Sequence, residues 1–345
     1  MRPVIGIFLI ASVILYIGFQ FAFDNHEEKG SHTAENIIDV EKKESPLNAA
    51  LGLPAESLGT LVGEDVQSLI QKLGAPARKD SSAYGYTWFI YNFDLNHYVQ
   101  AGVLNNKVVT LYAIGNAVNT APFKIGLSID QYHKINSIQA QVPINIKDNS
   151  YQFELTEEDI LYRPLINVGD IHAQLYIDRF TGNLSSVRFI DGETLVKHQP
   201  YEMIYRGEII KPQEIQDSEW RKIEVGAELQ ILDITNVIRT RHKRVRLHWD
   251  ESTAEVAYAH SKEMKEANYF AHISEKYGSL SDRLDAGNVF YQLAGENIAA
   301  HYTDAPAVVE GWLNSKGHRE SLLNVEFTHL GVGVYNKYYT QNFIK

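Results

Sequence analysis

The 345-residue chain contains no cysteine, and this absence removes several kinds of chemistry at once. Without thiols there are no disulfides, no thiolate nucleophile and no cysteine-based zinc finger. A lipoprotein anchor is excluded as well, because the lipid would have to be attached to a cysteine. With 44% hydrophobic and 11% aromatic residues, we expect the chain to be stabilised by packed cores.

The chain also lacks an excess of positive charge and two short catalytic motifs. Its 32 basic residues face 43 acidic ones, and the net charge of −11 argues against a nucleic-acid partner. No pair of histidines is spaced as in HExxH, so a zinc-protease helix is not indicated. No serine lies in a GxSxG elbow, which makes Ser315 a poor nucleophile candidate.

Residues 4–23 form an almost unbroken apolar run, long enough for one helical membrane span. Arg2 precedes the run and acidic residues follow it, a charge distribution that favours an inside N-terminus and external C-terminal domains. A cleaved signal peptide is the alternative, but the run ends without a small-x-small site. Residues 1–23 are therefore predicted to be a single-pass anchor in the cell membrane, with secretion as the alternative.

Residues 24–57 are polar and acidic and are predicted to be a flexible linker. Residues 58–200 are predicted to be an α+β domain of two degenerate repeats, beginning near Gly63 and Gly126. Helices are predicted at 68–73 and 129–135. Strands are predicted at 84–93, 98–104, 107–114, 151–155, 171–177 and 184–190, with turns at Asn105-Asn106 and 181–183.

Residues 201–224 read as a connection between domains, and residues 225–345 as a second domain that we expect to fold alone. A helix is predicted at 228–240, and strands at 331–335 and 338–343. Asp304 is a predicted N-cap, and Gly317 is predicted to end that helix just before His318. Another helix is predicted, with one packing face formed by Trp249, Thr253, Val256, Ala257, His260 and Met264.

Two histidines and one carboxylate recur within about fifty residues: His272, Glu296 and His318. Imidazole and carboxylate groups can bind a divalent metal or transfer protons near neutral pH. Their spacing alone does not separate such a site from three structural residues. The order of the surrounding motifs adds evidence for a functional site. These motifs are Leu247-His248-Trp249-Asp250, Tyr269-Phe270-Ala271-His272, Gly295-Glu296-Asn297-Ile298-Ala299, Trp312, Ser315, Gly317-His318-Arg319 and Gly331-Val332-Gly333-Val334.

This ordered set resembles the CAP superfamily (cysteine-rich secretory proteins, antigen 5, pathogenesis-related 1) in its bacterial SCP-like form. Residues 58–200 are similar, more loosely, to the accessory domain before CAP domains in Bacillus-like membrane-anchored surface proteins. The resemblance implies an α+β chain whose C-terminal part is an α-β-α sandwich with a cleft.

The resemblance also implies which residues line the cleft. His272 and His318 match its two histidines, and Glu296, followed by Asn297, matches one of its two glutamates. Ser315 stands where the family has the second glutamate, so the set of four is incomplete. We therefore expect at most weak zinc binding by His272 and His318, completed by Glu296 and water.

Two functional hypotheses follow from the resemblance. In the first, the protein is a cell-surface module whose cleft binds a peptide, lipid or cell-wall ligand through His272, Glu296, Asn297, Ser315 and His318. The alternative is a metal-assisted extracellular hydrolase, with Glu296 as the base and His272 and His318 holding a metal or stabilising charge.

Overall fold

The computed structural model describes residues 51–130 and 138–345. Within these residues, no helix is both long enough and apolar enough to cross a membrane. The predicted anchor, nearly all of the predicted linker and most of the predicted helix at 129–135 lie outside the described residues.

The first part of the described chain is built on two antiparallel sheets. Seven strands form one sheet in the order β1-β2-β3-β4-β9-β8-β7, and three strands form the other in the order β10-β6-β5. The strands are β1 Arg78–Ser81, β2 Thr87–Tyr91, β3 Val99–Leu104, β4 Lys107–Ala113, β5 Gln141–Ile146, β6 Asn149–Glu154, β7 Leu165–Val168, β8 Ile171–Asp178, β9 Asn183–Asp191 and β10 Glu202–Arg206. The helices are α1 Val66–Leu73, α2 Glu157–Tyr162 and α3 Gly192–His198, with short 3-10 turns at Leu58–Leu61 and Leu95–His97.

The segments that follow Gly63 and Gly126 make matching backbone hydrogen bonds to two different hairpins. The amide of Gly63 donates to Val108 at 2.7 Å, and that of Gly126 donates to Leu184 at 2.8 Å. Both glycines have positive φ angles, 90° and 87°, which other residues rarely adopt. The first hairpin turns at Asn105 and Asn106, both with positive φ, as the predicted turn requires.

The segment 201–224, predicted to be a connection, contains regular structure. Strand β10 pairs with β6 along its whole length, and helix α4 runs over Asp217–Arg241 and not only over 228–240. Strand β10 is largely exposed at the edge of its sheet, so its sequence carries no apolar alternation. The first turns of α4 are mostly polar, and the apolar pattern therefore begins late.

The last part of the chain is a four-stranded sheet between helices. Its strands lie in the order β11-β13-β14-β12, where β11 is His248–Trp249, β12 Ala294–Ala300, β13 His329–Tyr335 and β14 Tyr338–Ile344. Its remaining helices are α5 Glu251–Glu266, α6 Leu280–Ala286, α7 Ala305–Leu313 and α8 Lys316–Leu322.

Glycines in β13 set how closely the helices approach this sheet. A Cβ atom on Gly331 or Gly333 would collide with the backbone of α5, so the helix can pack directly on the strand only because both residues are glycine. The alternate residues Leu330, Val332 and Val334 belong to a core that includes residues of α4 and α7.

That core crosses from one part of the chain to the other. Tyr86 and Trp88 of the first part are buried in the same cluster as Ile231, Val308 and Trp312 of the second. The described residues accordingly form one compact unit. The shared core argues against the expectation that residues 225–345 fold alone, because separation would expose this apolar surface.

Candidate functional site

Glu296 is the buried centre of the candidate cleft. It lies on β12, and its side chain is only 4% exposed. One carboxylate oxygen is 2.9 Å from Nδ1 of His272, and the other accepts a hydrogen bond from Nη2 of Arg283 on α6, also 4% exposed. The strand thus carries a carboxylate with both oxygens occupied.

Arg283 also fixes the loop that carries His272. Its Nη1 donates to the carbonyls of His272 at 2.8 Å and of Gly278 at 3.2 Å. Helix α6 is anchored by a capping box between Ser279 and Asp282. One guanidinium therefore joins α6, β12 and the His272 loop. Sequence reasoning missed this residue, since nothing around it distinguishes it from an exposed helical arginine.

The charges around Glu296 decide its protonation and the tautomer of His272. Burial acts to raise the pKa of Glu296, but the hydrogen bond from His272 and the charge of Arg283 outweigh it, so the pKa is lowered. An ionised carboxylate only accepts hydrogen bonds, so Nδ1 of His272 must donate. Nε2 of this 53% exposed imidazole then remains for a ligand.

His318 does not lie beyond a helix end, as the sequence predicted, but inside α8. Helix α7 ends at Leu313, and Ser315 is the N-cap residue of α8, without a side-chain capping bond. The predicted N-cap of α7, Asp304, is confirmed. Gly317 does not end a helix because Asn314 has already closed α7 and the chain turns at once into α8.

Asn297 holds the backbone at His318. Its side-chain amide donates to the carbonyl of His318 at 3.1 Å and to Oε1 of Gln341 at 3.2 Å. Burial, with a contribution from nearby His272, lowers the pKa of His318 to about 4. The imidazole of His318 is therefore neutral at physiological pH and offers one donor and one acceptor.

Comparison with known proteins places the chain in a family. Residues 62–201 match the model described as CAP-associated N-terminal, and residues 232–344 match the cysteine-rich secretory protein family. The uncharacterized membrane protein YlbC of Bacillus subtilis is 50% identical over 342 residues, which is 99% of this chain and 97% of that protein. The chain belongs to the CAP family.

Two solved structures agree with this CAP assignment. An extracellular protein with an SCP domain from Bacillus anthracis is 44% identical, with a TM-score of 0.81 over 90% of this chain and all of the other. A cysteine-rich secretory protein from Staphylococcus aureus is 28% identical, with a TM-score of 0.75 over 86% and 95% of the two chains.

The candidate cleft does not fit a three-ligand metal site. Among the described residues, no three His, Asp or Glu side chains are grouped so that they could hold a metal ion. Glu296 is committed to Arg283, and a cation beside that guanidinium would be repelled. The serine at position 315 also supplies no charge in place of the second glutamate.

The helix stripe predicted around His260 is confirmed as part of the CAP core. Thr253, Val256, Ala257, His260 and Met264 are all buried, but Trp249, predicted on the same stripe, lies in β11 before the helix begins. His260 donates from Nε2 to the carbonyl of Ala271 at 3.0 Å, just before the His272 loop. Its role is therefore to support that loop from behind.

Proposed function

We propose that this CAP protein is a cell-surface binding module and that its cleft holds a ligand without cleaving it. The observation that carries the proposal is the pairing of Glu296, whose two oxygens are occupied by Arg283 and His272. A general base needs a free lone pair and a pKa near the working pH. Glu296 is poorly suited to that role, since each of its oxygens already accepts a hydrogen bond and its pKa is lowered.

The pairing also weighs against the metal-assisted hydrolase. That mechanism needs Glu296 as the base and the two histidines as metal ligands, yet Arg283 already neutralises the carboxylate. Binding to a neutral polar ligand fits the same residues better. The charges of Glu296 and Arg283 cancel, and His318 is uncharged at neutral pH.

We infer that the ligand presents neutral hydrogen-bonding groups, such as the amides of a peptide or of a cell-wall fragment. Nε2 of His272, the hydroxyl of Ser315 and the imidazole of His318 would make the polar contacts. Ile273, next to His272 in the chain, is 67% exposed and adds an apolar contact. A lipid would be held mainly by that apolar contact and less by the imidazoles.

The test is a titration of the protein with soluble cell-wall fragments, a peptide mixture and neutral lipid vesicles in separate experiments. We expect one of the first two to shift the NMR signals of His272 and His318, and His318→Ala to weaken that binding at least tenfold. Mass spectrometry of the ligand after prolonged incubation should find it intact. A cleavage product that forms with the wild type but not with Glu296→Gln would show that the protein is a hydrolase and contradict the proposal.

We further propose that residues 1–23 anchor the chain in the cell membrane and that the folded part lies outside the cell. The name of YlbC calls that relative a membrane protein, and the Bacillus anthracis relative is called extracellular. We also infer that residues 58–200 arose as two degenerate repeats. The matched hydrogen bonds of Gly63 and Gly126 support this inference.

A further inference from the structure

The accessory part of the chain, residues 58–200, contacts the part that forms the cleft, residues 225–345, directly beside Ser315 and His318. Asn314, which closes helix α7, donates from its side-chain amide to the carbonyl of Ile177 at 2.8 Å. Its side-chain oxygen accepts the backbone N–H of Arg179 at 2.9 Å. The residue before Ser315 is thus tied to the end of β8 through a two-way amide pairing.

A second contact lies on the other side of the same short segment. Arg319 donates from Nη1 and Nη2 to the two carboxylate oxygens of Asp178, both at 2.9 Å. The side chains of Arg319 and Asp178 are only 14% and 7% exposed. The guanidinium carbon of Arg319 also lies 4.7 Å from the centre of the Phe180 ring. A two-bond arginine–carboxylate pair fixes orientation as well as distance.

These contacts enclose the residues that the cleft needs. Ser315 and His318 lie between Asn314 and Arg319, so the segment is held at both ends by residues 177–179 of the accessory part. On the cleft side, Asn297 bonds the carbonyl of His318 at 3.1 Å. Neither Asn314 nor Arg319 bonds Glu296 or His272 among the described contacts, so both act on the cleft only through this segment.

We propose that Asp178, Asn314 and Arg319 are positioning residues through which the accessory domain sets the place of His318 in the cleft. The accessory domain is then part of the ligand site, although it contributes no side chain to the cleft itself. The proposal rests on the proposed binding function for its biological meaning. The position of His318 can nevertheless be measured without any ligand.

The physical reason is that α8 is short and has no side-chain cap of its own. A seven-residue helix is marginal in isolation, because nucleation costs more than so few hydrogen bonds return. Its first turn therefore depends on outside contacts, and the Asp178–Arg319 pair supplies the strongest of these. If the pair is broken, the segment should loosen and His318 should become hydrated.

The experiment follows the pKa of His318 by NMR in the full chain and in Asp178→Asn. Asparagine keeps an oxygen for the N–H of Phe180, which Asp178 accepts at 3.0 Å, but loses the charge that binds Arg319. Burial is the main cause of the depressed pKa, so hydration should raise it from about 4 by at least one unit toward 6.5.

The sign of the shift separates positioning from direct electrostatics. Removing the Asp178 carboxylate leaves Arg319 unpaired beside His318, and an unpaired cation alone would lower the pKa of the imidazole. A raised pKa of His318 therefore reports movement of the segment that carries it. Arg319→Gln should raise it as well, whereas an unchanged or lowered pKa in Asp178→Asn would overturn the proposal.

A matched control is available in a second ion pair between the two parts of the chain. Arg78 on β1 and Asp233 on α4 pair at 3.1 Å, away from α8. Asp233→Asn should lower the melting temperature while leaving the pKa of His318 near 4. An equal rise of the His318 pKa in this control would mean that general loosening of the protein, and not the loss of the Asp178–Arg319 pair, explains the result.

Discussion

Replacing Arg283 with methionine tests the centre of the cleft. The variant leaves the Glu296 carboxylate buried without its cationic partner, since both side chains are 4% exposed in the pair. Removing one member of a buried ion pair costs about 3–5 kcal/mol. At an unfolding entropy of ~2.1 cal/mol/K per residue over roughly 300 residues, the melting temperature should fall by about 5–8 °C.

The dependence of this defect on pH has a definite sign. In the wild type the pKa of Glu296 is lowered, so its stabilisation is present above the unfolded value near 4.5 and is lost as the pH falls through the native pKa. In Arg283→Met, burial without the cation should raise the native pKa above 4.5. The loss of stability should therefore be smaller at pH 4 than near pH 7.

A double-mutant cycle isolates the ion pair from the other bonds of Arg283. Arg283→Met also removes the hydrogen bonds to the carbonyls of His272 and Gly278, each worth about 1 kcal/mol. Adding Glu296→Gln should recover stability to within about 1–2 kcal/mol of the wild type, because no buried charge remains. Denaturant unfolding at pH 4 and pH 7 provides the measurement. A defect that is independent of pH, or a double variant no more stable than Arg283→Met, would refute the reasoning.

Three further predictions concern the metal, the domains and the N-terminus. Calorimetric zinc titration should give the same small heat for the wild type and His272→Ala, because Arg283 occupies Glu296; a heat lost in His272→Ala, or a large one gained in Ser315→Glu, would restore the metal site. A chain beginning at Asp217 should lack the cooperative melt of the whole protein, because about a third of the buried residues of the shared core are gone; a sharp two-state melt with dispersed amide signals would contradict this. N-terminal sequencing of the membrane fraction should begin before residue 4, whereas a start after Phe23 in the culture medium would indicate secretion.

Local signals in the sequence predicted local structure well. The hairpin at Asn105-Asn106, the N-cap at Asp304 and the buried stripe around His260 each depend on a few neighbouring residues, and all three are confirmed. The motif order also identified the family. Strand β10 was missed because an exposed edge strand needs no apolar alternation.

Partners distant in sequence could not be predicted. Arg283 reaches Glu296 across 13 residues, and Asp178 reaches Arg319 across 141, with no pattern in either segment that marks the pair. Each arginine lies in a short, mostly polar segment, as arginines on the surface of many helices do. The same limit applies to the core that the two parts of the chain share. Apolar residues such as Trp88 and Trp312 indicate a core, but a single sequence does not indicate that they share it.

The position of β14 has a consequence for the order in which the protein can be completed during synthesis. This strand, Tyr338–Ile344, lies between β13 and β12 inside its sheet, although it is made last. Among the described strands β12 pairs only with β14, so the sheet cannot close until the ribosome has passed Ile344. At ~5–20 residues per second, the roughly 140 residues after β10 take about 7–30 s. Until Val308 and Trp312 are made, Tyr86 and Trp88 lack part of the core that they share, so the nascent chain presents an aromatic surface suited to a holding chaperone.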